Sequence, residues 1–186
     1  MIFNETELEG VFVIEPEIIE DERGFFFRSW APEEFEQRRL NAQLAQCNIS
    51  FNKLRGTVRG MHFQVSPHEE TKLVRCTRGA MFDVAVDLRP LSPTRFAWTA
   101  VELSADNHRM LYIPVGFAHG YQTLDDATEI FYQVSEVYYP ESARGLRWDD
   151  PRLGIQWPLP VTMMSKRDRE SKLIGSESKG PLFGVA

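Results

Sequence analysis

Apolar and polar positions alternate most regularly where Phe82, Val84, Val86 and Leu88 are interleaved with Asp83, Ala85, Asp87 and Arg89. That two-residue period predicts a half-buried strand over 80–88. Weaker runs rich in Val, Ile, Phe, Tyr and Thr predict strands at 11–19, 25–30, 71–77, 98–103, 110–114 and 128–135. Turn signals separate them: DERG at 21–24, LSPT at 91–94, SADN at 104–107, DD at 125–126, PESARG at 140–145 and DDPRLG at 149–154. Many short strands punctuated in this way predict an all-β sandwich or barrel. Helix is scarce. Pro32, followed by Phe35, Arg38, Arg39 and Leu40, predicts a short helix at 32–40, and a second is expected at 166–173. With no internal repeat or linker, one domain is expected over 1–174, followed by a flexible C-terminal tail at 175–186.

Composition narrows the function classes. A chain of 186 residues, 42% hydrophobic and 26% charged, has the balance of a soluble globular domain that buries its own core. No apolar run approaches the roughly 18 residues of a membrane span, and the acidic start MIFNETELEG is not a signal peptide. A cytoplasmic protein without a membrane partner is therefore expected. Cys47 and Cys76 form no CxxC pair and suggest neither a zinc site nor a disulfide, but two reduced thiols. The net charge of -6 argues against nucleic acid, so an anionic ligand would need a local cluster of arginine and lysine.

The densest polar cluster is Arg59-Gly60-Met61-His62-Phe63-Gln64, preceded by Gln46-Cys47-Asn48 and followed by Lys72. A histidine amid apolar strand residues is more often structural than catalytic, so context must decide. Strict alternation would put Arg59 and His62 on opposite faces. Gly60 between them predicts a bulge that turns both into one cavity. A second cluster, Gly116-Phe117-Ala118-His119-Gly120, reads either as a hairpin turn or as a close approach to ligand. Tyr132, with Ile130 and Val134 on its face, reads alone as a core tyrosine. No His-x-His pair occurs and His62 is followed by Phe63-Gln64, so a catalytic metal is not expected. Phosphate-binding glycine loops are absent too, which leaves guanidinium forks such as Arg23 and Arg59 for a diphosphate. Arg23, in Asp21-Glu22-Arg23-Gly24, reads equally well as a turn residue paired with its acidic neighbours.

Taken together, the runs DERGFFFRSW (21–30), QCNIS (46–50), VRGMHFQ (58–64), KLVRCTRGAMFDVAVDLRPLSPT (72–94), LYIPVGFAHGYQTL (111–124), EIFYQVSEVYYPE (129–141), WDDPRLGIQWP (148–158) and SKRD (165–168) resemble the dTDP-4-dehydrorhamnose 3,5-epimerase family. The likeness covers nearly everything from residue 10 to about 173. It implies a cupin-type jelly-roll barrel with a few short peripheral helices. It also implies cofactor-free, metal-independent epimerisation at C3 and C5 of a nucleotide-linked 4-keto-6-deoxyhexose, in deoxysugar biosynthesis of the dTDP-L-rhamnose type.

By the same resemblance His62 matches the general base, Asp168 the carboxylate that orients it, and Tyr132 the acid that returns a proton on the opposite sugar face. Lys72 matches a position suited to the enolate oxygen, where an ammonium lowers the barrier electrostatically. Arg23 and Arg59 would clamp the diphosphate, Gln46 and Asn48 would contact nucleotide and sugar, His119 would border sugar or phosphates, and Tyr138 would line the pocket. The family's N-terminal strand crosses to a partner subunit, so a homodimer is expected and Arg23 would serve the neighbouring site. Three positions depart from the family pattern and bear on the nucleotide: Arg28 where Glu is typical, Cys47 where Asp is usual, and Ala143 where an acidic residue occurs. The alternatives are an epimerase acting at one carbon or on another nucleotide, a non-catalytic sugar-nucleotide binding module, and a metal-dependent cupin enzyme.

Overall fold

The computed structural model describes residues 1–175, and in it the strand expected over 80–88 is present at Ala80–Asp87. The expected tail lies, beyond Gly175, outside the described residues. In chain order the elements are β1 (Ile2–Glu5), β2 (Phe12–Glu15), β3 (Ile19–Asp21), β4 (Gly24–Phe26), α1 (Pro32–Glu36), β5 (Gln46–Asn52), β6 (Val58–Gln64), β7 (Lys72–Arg78), β8 (Ala80–Asp87), β9 (Trp98–Ser104), β10 (Met110–Ile113), β11 (Phe117–Thr123), β12 (Thr128–Val134), β13 (Ala143–Gly145) and α2 (Lys166–Arg169). The strand expected over 11–19 is split by Pro16, which has no N–H to give to a ladder. The helix expected over 32–40 ends at Glu36. Arg39 turns to φ 60° there, and the Leu40 N–H returns to the Phe35 carbonyl at 3.0 Å.

The strands form a six-stranded sheet in the order β1-β2-β10-β7-β12-β5, a five-stranded sheet in the order β13-β6-β11-β8-β9, and the separate hairpin β3-β4. All the paired strands run antiparallel. This corrects the expected jelly-roll barrel: the sheets are not closed on one another. Closure needs a ladder joining the sheets, and among the described residues β1, β5, β13 and β9 remain as edges. An open sandwich and a barrel both bury one face of each strand, so the alternating pattern alone cannot separate them.

The two sheets face each other across an interior of Val74, Cys76, Leu111, Ile113 and Ile130 from one, and Met81, Ala85, Leu103, Phe117 and Tyr121 from the other. The outer face of the five-stranded sheet is also buried, because Leu146, Leu153, Ile155 and Ile174 cover Met61, Phe63, Val84, Val86 and Leu88. On the other sheet, Phe35 of α1 packs with Met1, Ile14, Leu73 and Met110. Strand β8 is thus buried on both faces. Asp83 and Asp87, read from sequence as its solvent side, are 0% exposed. Asp87 is satisfied by the Arg89 guanidinium and the hydroxyls of Ser92 and Thr94, which together overcome its burial and hold its carboxyl at about 2. No helix among the described residues is long and apolar enough to cross a membrane.

Candidate active site

The expected bulge is present. On β11, His119 and Tyr121 are two residues apart, yet they pair with His62 and Arg59, which are three apart on β6. The extra residue turns Arg59 and His62 toward the same cavity. Gly60 adopts φ 125°, and a Cβ there would lie 2.5 Å from the Gly120 Cα. Two glycines therefore sit back to back where any side chain would part the strands.

Asp168 reaches this strand from α2, whose first turn is capped by Ser165: its hydroxyl accepts the Asp168 N–H at 3.0 Å. His62 Nε2 lies 2.6 Å from Asp168 Oδ1. Burial pushes the Asp168 carboxyl up. Hydrogen bonds from His62 and Ser165 and from the Gly60 backbone, with the attraction of the imidazole, outweigh that and hold it below the usual carboxylate range. The Asp168 side chain is 5% exposed whereas that of His62 is 41% exposed, so the carboxylate is enclosed and the ring faces the cleft.

From the opposite sheet come Tyr132 on β12, Lys72 on β7, and Gln46 and Asn48 on β5. With His62 they line a cleft of about 350 Å³, completed by Gln64, Glu70, Tyr138, Arg144 and Arg167 among others. His62, Lys72 and Tyr132 also line an adjoining lobe of about 200 Å³ with Ser50, Arg59, His119 and Tyr121. Burial first, then the charge of Glu70, raises the Tyr132 phenol above its ordinary value, with Arg59 pulling the other way, so the hydroxyl keeps its proton at neutral pH. Arg59 is aimed by Asn52, whose Oδ1 accepts its Nε at 2.8 Å. Gln46 Oε1 accepts the Tyr138 N–H at 3.1 Å, and Arg167 donates to the Tyr138 hydroxyl at 3.3 Å.

The sequence reading missed Glu70, which pairs with the Lys72 ammonium inside the cleft, and placed Gln64 in the polar cluster without giving it a role. Gln64 accepts from Tyr139 N and donates to the carbonyls of His68 and Val137, tying two loops of the rim together. Arg23 is not brought to this cleft. It sits on the β3–β4 hairpin with its side chain 84% exposed and forked onto Asp21. Of the three departures, Ala143 lines the cleft, whereas Arg28 and Cys47 are exposed outside it. Among the described residues no three His, Cys, Asp or Glu side chains converge as a metal-binding group. His62 and His119 are each engaged by a carboxylate.

A histidine tethered to a carboxylate and facing a protonated tyrosine across a polar cleft can remove a proton from carbon and replace it. Residues 5–175 match the family described as dTDP-4-dehydrorhamnose 3,5-epimerase. A protein of that name from Methanothermobacter thermautotrophicus is 44% identical over 173 residues, covering 91% of this chain and 92% of the relative. A dTDP-4-dehydrorhamnose 3-epimerase from Streptomyces niveus is 38% identical over 168 residues, covering 90% of this chain and 81% of that protein. The crystal structure of the 3,5-epimerase from Bacillus anthracis, with TDP and PPi bound, superposes with a TM-score of 0.90 at 40% identity, covering 93% of this chain and 99% of that one. The protein is an isomerase of the epimerase class. It belongs to the dTDP-4-dehydrorhamnose 3,5-epimerase family.

Proposed function

We propose that the cleft binds a dTDP-linked 4-keto-6-deoxyhexose and inverts C3 and C5 beside the keto group, in the cytoplasm and without a cofactor, for dTDP-L-rhamnose-type deoxysugar synthesis. One observation carries this reading: His62 and Tyr132 enter a single cleft from opposite sheets. Inversion needs that arrangement, with a base on one face of the sugar ring and an acid on the other. With Nε2–H given to Asp168, the neutral His62 ring presents the Nδ1 lone pair to the sugar. Nδ1 takes the proton from the carbon next to the ketone, and the C–H electron pair becomes an enolate. The Lys72 ammonium stabilises the enolate oxygen. Tyr132 then returns a proton to the far face; His62 gives its proton up to solvent, the Tyr132 phenolate takes one back from solvent, and with both groups reset the sequence repeats at the second carbon. Gln46, Asn48 and Tyr138 hold the nucleotide side, while Arg59 and His119 meet sugar and diphosphate oxygens.

Incubation with dTDP-4-keto-6-deoxyglucose in heavy water is expected to place deuterium at both C3 and C5, with both centres inverted. A second reading is favoured by the Streptomyces niveus relative, whose name specifies a 3-epimerase. Exchange confined to one carbon would establish that reading instead. No exchange at either carbon would leave a sugar-nucleotide binding module.

We infer that the protein works as a homodimer. Ile19, Phe25 and Phe26 on the β3–β4 hairpin are 64%, 55% and 63% exposed, and Ile49 and Phe51 on the outward side of β5 are 67% and 46% exposed. Surfaces this apolar favour association. The same hairpin carries Arg23 away from its own cleft, where it is available to a neighbour's diphosphate. Sedimentation equilibrium is expected to give twice the chain mass, and Phe26→Asp to shift it toward the monomer. A monomeric wild-type protein would refute the inference.

A further inference from the structure

The cleft contains a second histidine–carboxylate couple that takes no part in the proton transfers above, and whose carboxylate has so far been given no role. His119 Nε2 lies 2.6 Å from Asp83 Oδ1, with side chains 11% and 0% exposed. Asp83 points between the sheets from β8, on the same face as Met81 and Ala85 of the interior cluster. Its second oxygen, Oδ2, is buried without a hydrogen-bond partner among the described residues. Such a carboxyl is costly to the fold, since an apolar residue of similar size would fill the space without desolvating a polar group. His119 also lines the cavity, and with Nε2 committed to Asp83 its Nδ1 is the nitrogen left for a ligand.

What Nδ1 offers depends on the number of protons in the couple. With one proton, Asp83 is a carboxylate accepting from Nε2–H, Nδ1 is a bare acceptor, and the couple is anionic. With two protons, the couple is neutral and Nδ1 carries a hydrogen. Full burial and the missing donor at Oδ2 both disfavour the anionic form. Burial pushes the Asp83 carboxyl above its usual range, against the pull of His119. The titratable groups facing His119 are Arg59 and His62 on β6, Lys72 on β7, Tyr132 on β12 and Tyr121 on its own strand. Lys72 is already answered by Glu70, and the charge of Arg59 is answered once an anionic ligand is bound, so neither draws a proton off the couple.

We propose that Asp83 is a positioning residue that keeps His119 in the two-proton form of the couple, so that Nδ1–H donates to an oxygen of the bound sugar diphosphate. A bare Nδ1 would repel such a ligand. This inference rests on the nucleotide-sugar reading of the cleft and adds to it a residue that fixes the sense of one hydrogen bond.

Long-range 1H–15N spectra of histidine-labelled wild-type protein with dTDP-glucose bound, at neutral pH, test it directly. His119 is expected to carry a proton on Nδ1; a bare Nδ1 overturns the proposal, with no variant needed. In binding measurements Asp83→Leu is expected to weaken dTDP-glucose about tenfold, as for one lost hydrogen bond to a charged group. Asp83→Asn, whose amide can donate to Nε2 and so keep the hydrogen on Nδ1, is expected to restore most of that affinity. A space-filling role would let Leu and Asn bind alike, and that result also overturns the proposal. Weakening of both dTDP and dTDP-glucose assigns the acceptor to a phosphate, and weakening of dTDP-glucose alone assigns it to the sugar. If the wild type exchanges no deuterium, the epimerase reading fails while the spectra and binding data still decide the role of Asp83.

Discussion

His62→Ala is expected to lower deuterium exchange at the sugar by about 10³-fold, the usual range for loss of a general base, while dTDP binding and the fold are retained. The ring is 41% exposed on its side chain and fills no core position, so its removal opens no internal cavity. Asp168→Asn is expected to lose about 10²-fold or more through a different route. An asparagine amide that donates to Nε2 forces the hydrogen onto Nδ1, and the lone pair that attacks the C–H bond is gone. The pH dependence separates the two variants further. Because the folded Asp168 carboxyl is held below its ordinary value, its hydrogen bonds contribute stability above the unfolded pKa, and that contribution is lost as pH falls through the lower folded pKa. His62→Ala removes a leading source of that depression, so acid unfolding is expected to begin at higher pH than in the wild type. Exchange at the wild-type rate in His62→Ala would remove His62 from the mechanism.

Parts of this site were legible in the chain for identifiable physical reasons. The joint orientation of Arg59 and His62 was readable because Gly60 breaks a two-residue period, and a glycine at that point has a bulge as its simplest use. Asp168, 106 residues beyond His62, was reachable only through the family resemblance, since nothing local connects the two. Asp83 was misread. Its alternation with Val84 and Val86 looks like a solvent face, and only the C-terminal segment packed over the outside of β8 reverses the sense of that pattern. Glu70 escaped for a related reason: the run His68-Glu69-Glu70-Thr71-Lys72 looks like surface, yet the loop folds Glu70 inward onto Lys72. Strand β13 was hidden in a turn-rich stretch because its pairing with Phe63 and its neighbours on β6 is tertiary. Sheet closure depends on which edges meet, and strand patterning carries no information about that.

Tyr132→Phe is expected to uncouple exchange from inversion. His62 still removes the proton next to the ketone, and its Nδ1–H exchanges with heavy water before returning a deuteron to the same face. The substrate therefore gains deuterium without changing configuration, while formation of the inverted sugar falls by about 10²- to 10⁴-fold. The outcome follows from the placement of the phenol. Tyr132 hangs from β12 of the six-stranded sheet, whereas His62 and Asp168 approach from the β6 side, so neither can take over a proton delivery that must come from the far side of the ring. The raised phenol value supports the same assignment, because a group that must donate at neutral pH has to hold its proton until an enolate is present to take it. Nuclear magnetic resonance of the recovered sugar separates the possibilities carbon by carbon. Retained configuration with full deuteration matches the two-face mechanism. Inversion at the wild-type rate without the Tyr132 hydroxyl would mean that the second face is served by another donor, and the assignment of Tyr132 as the acid would fall.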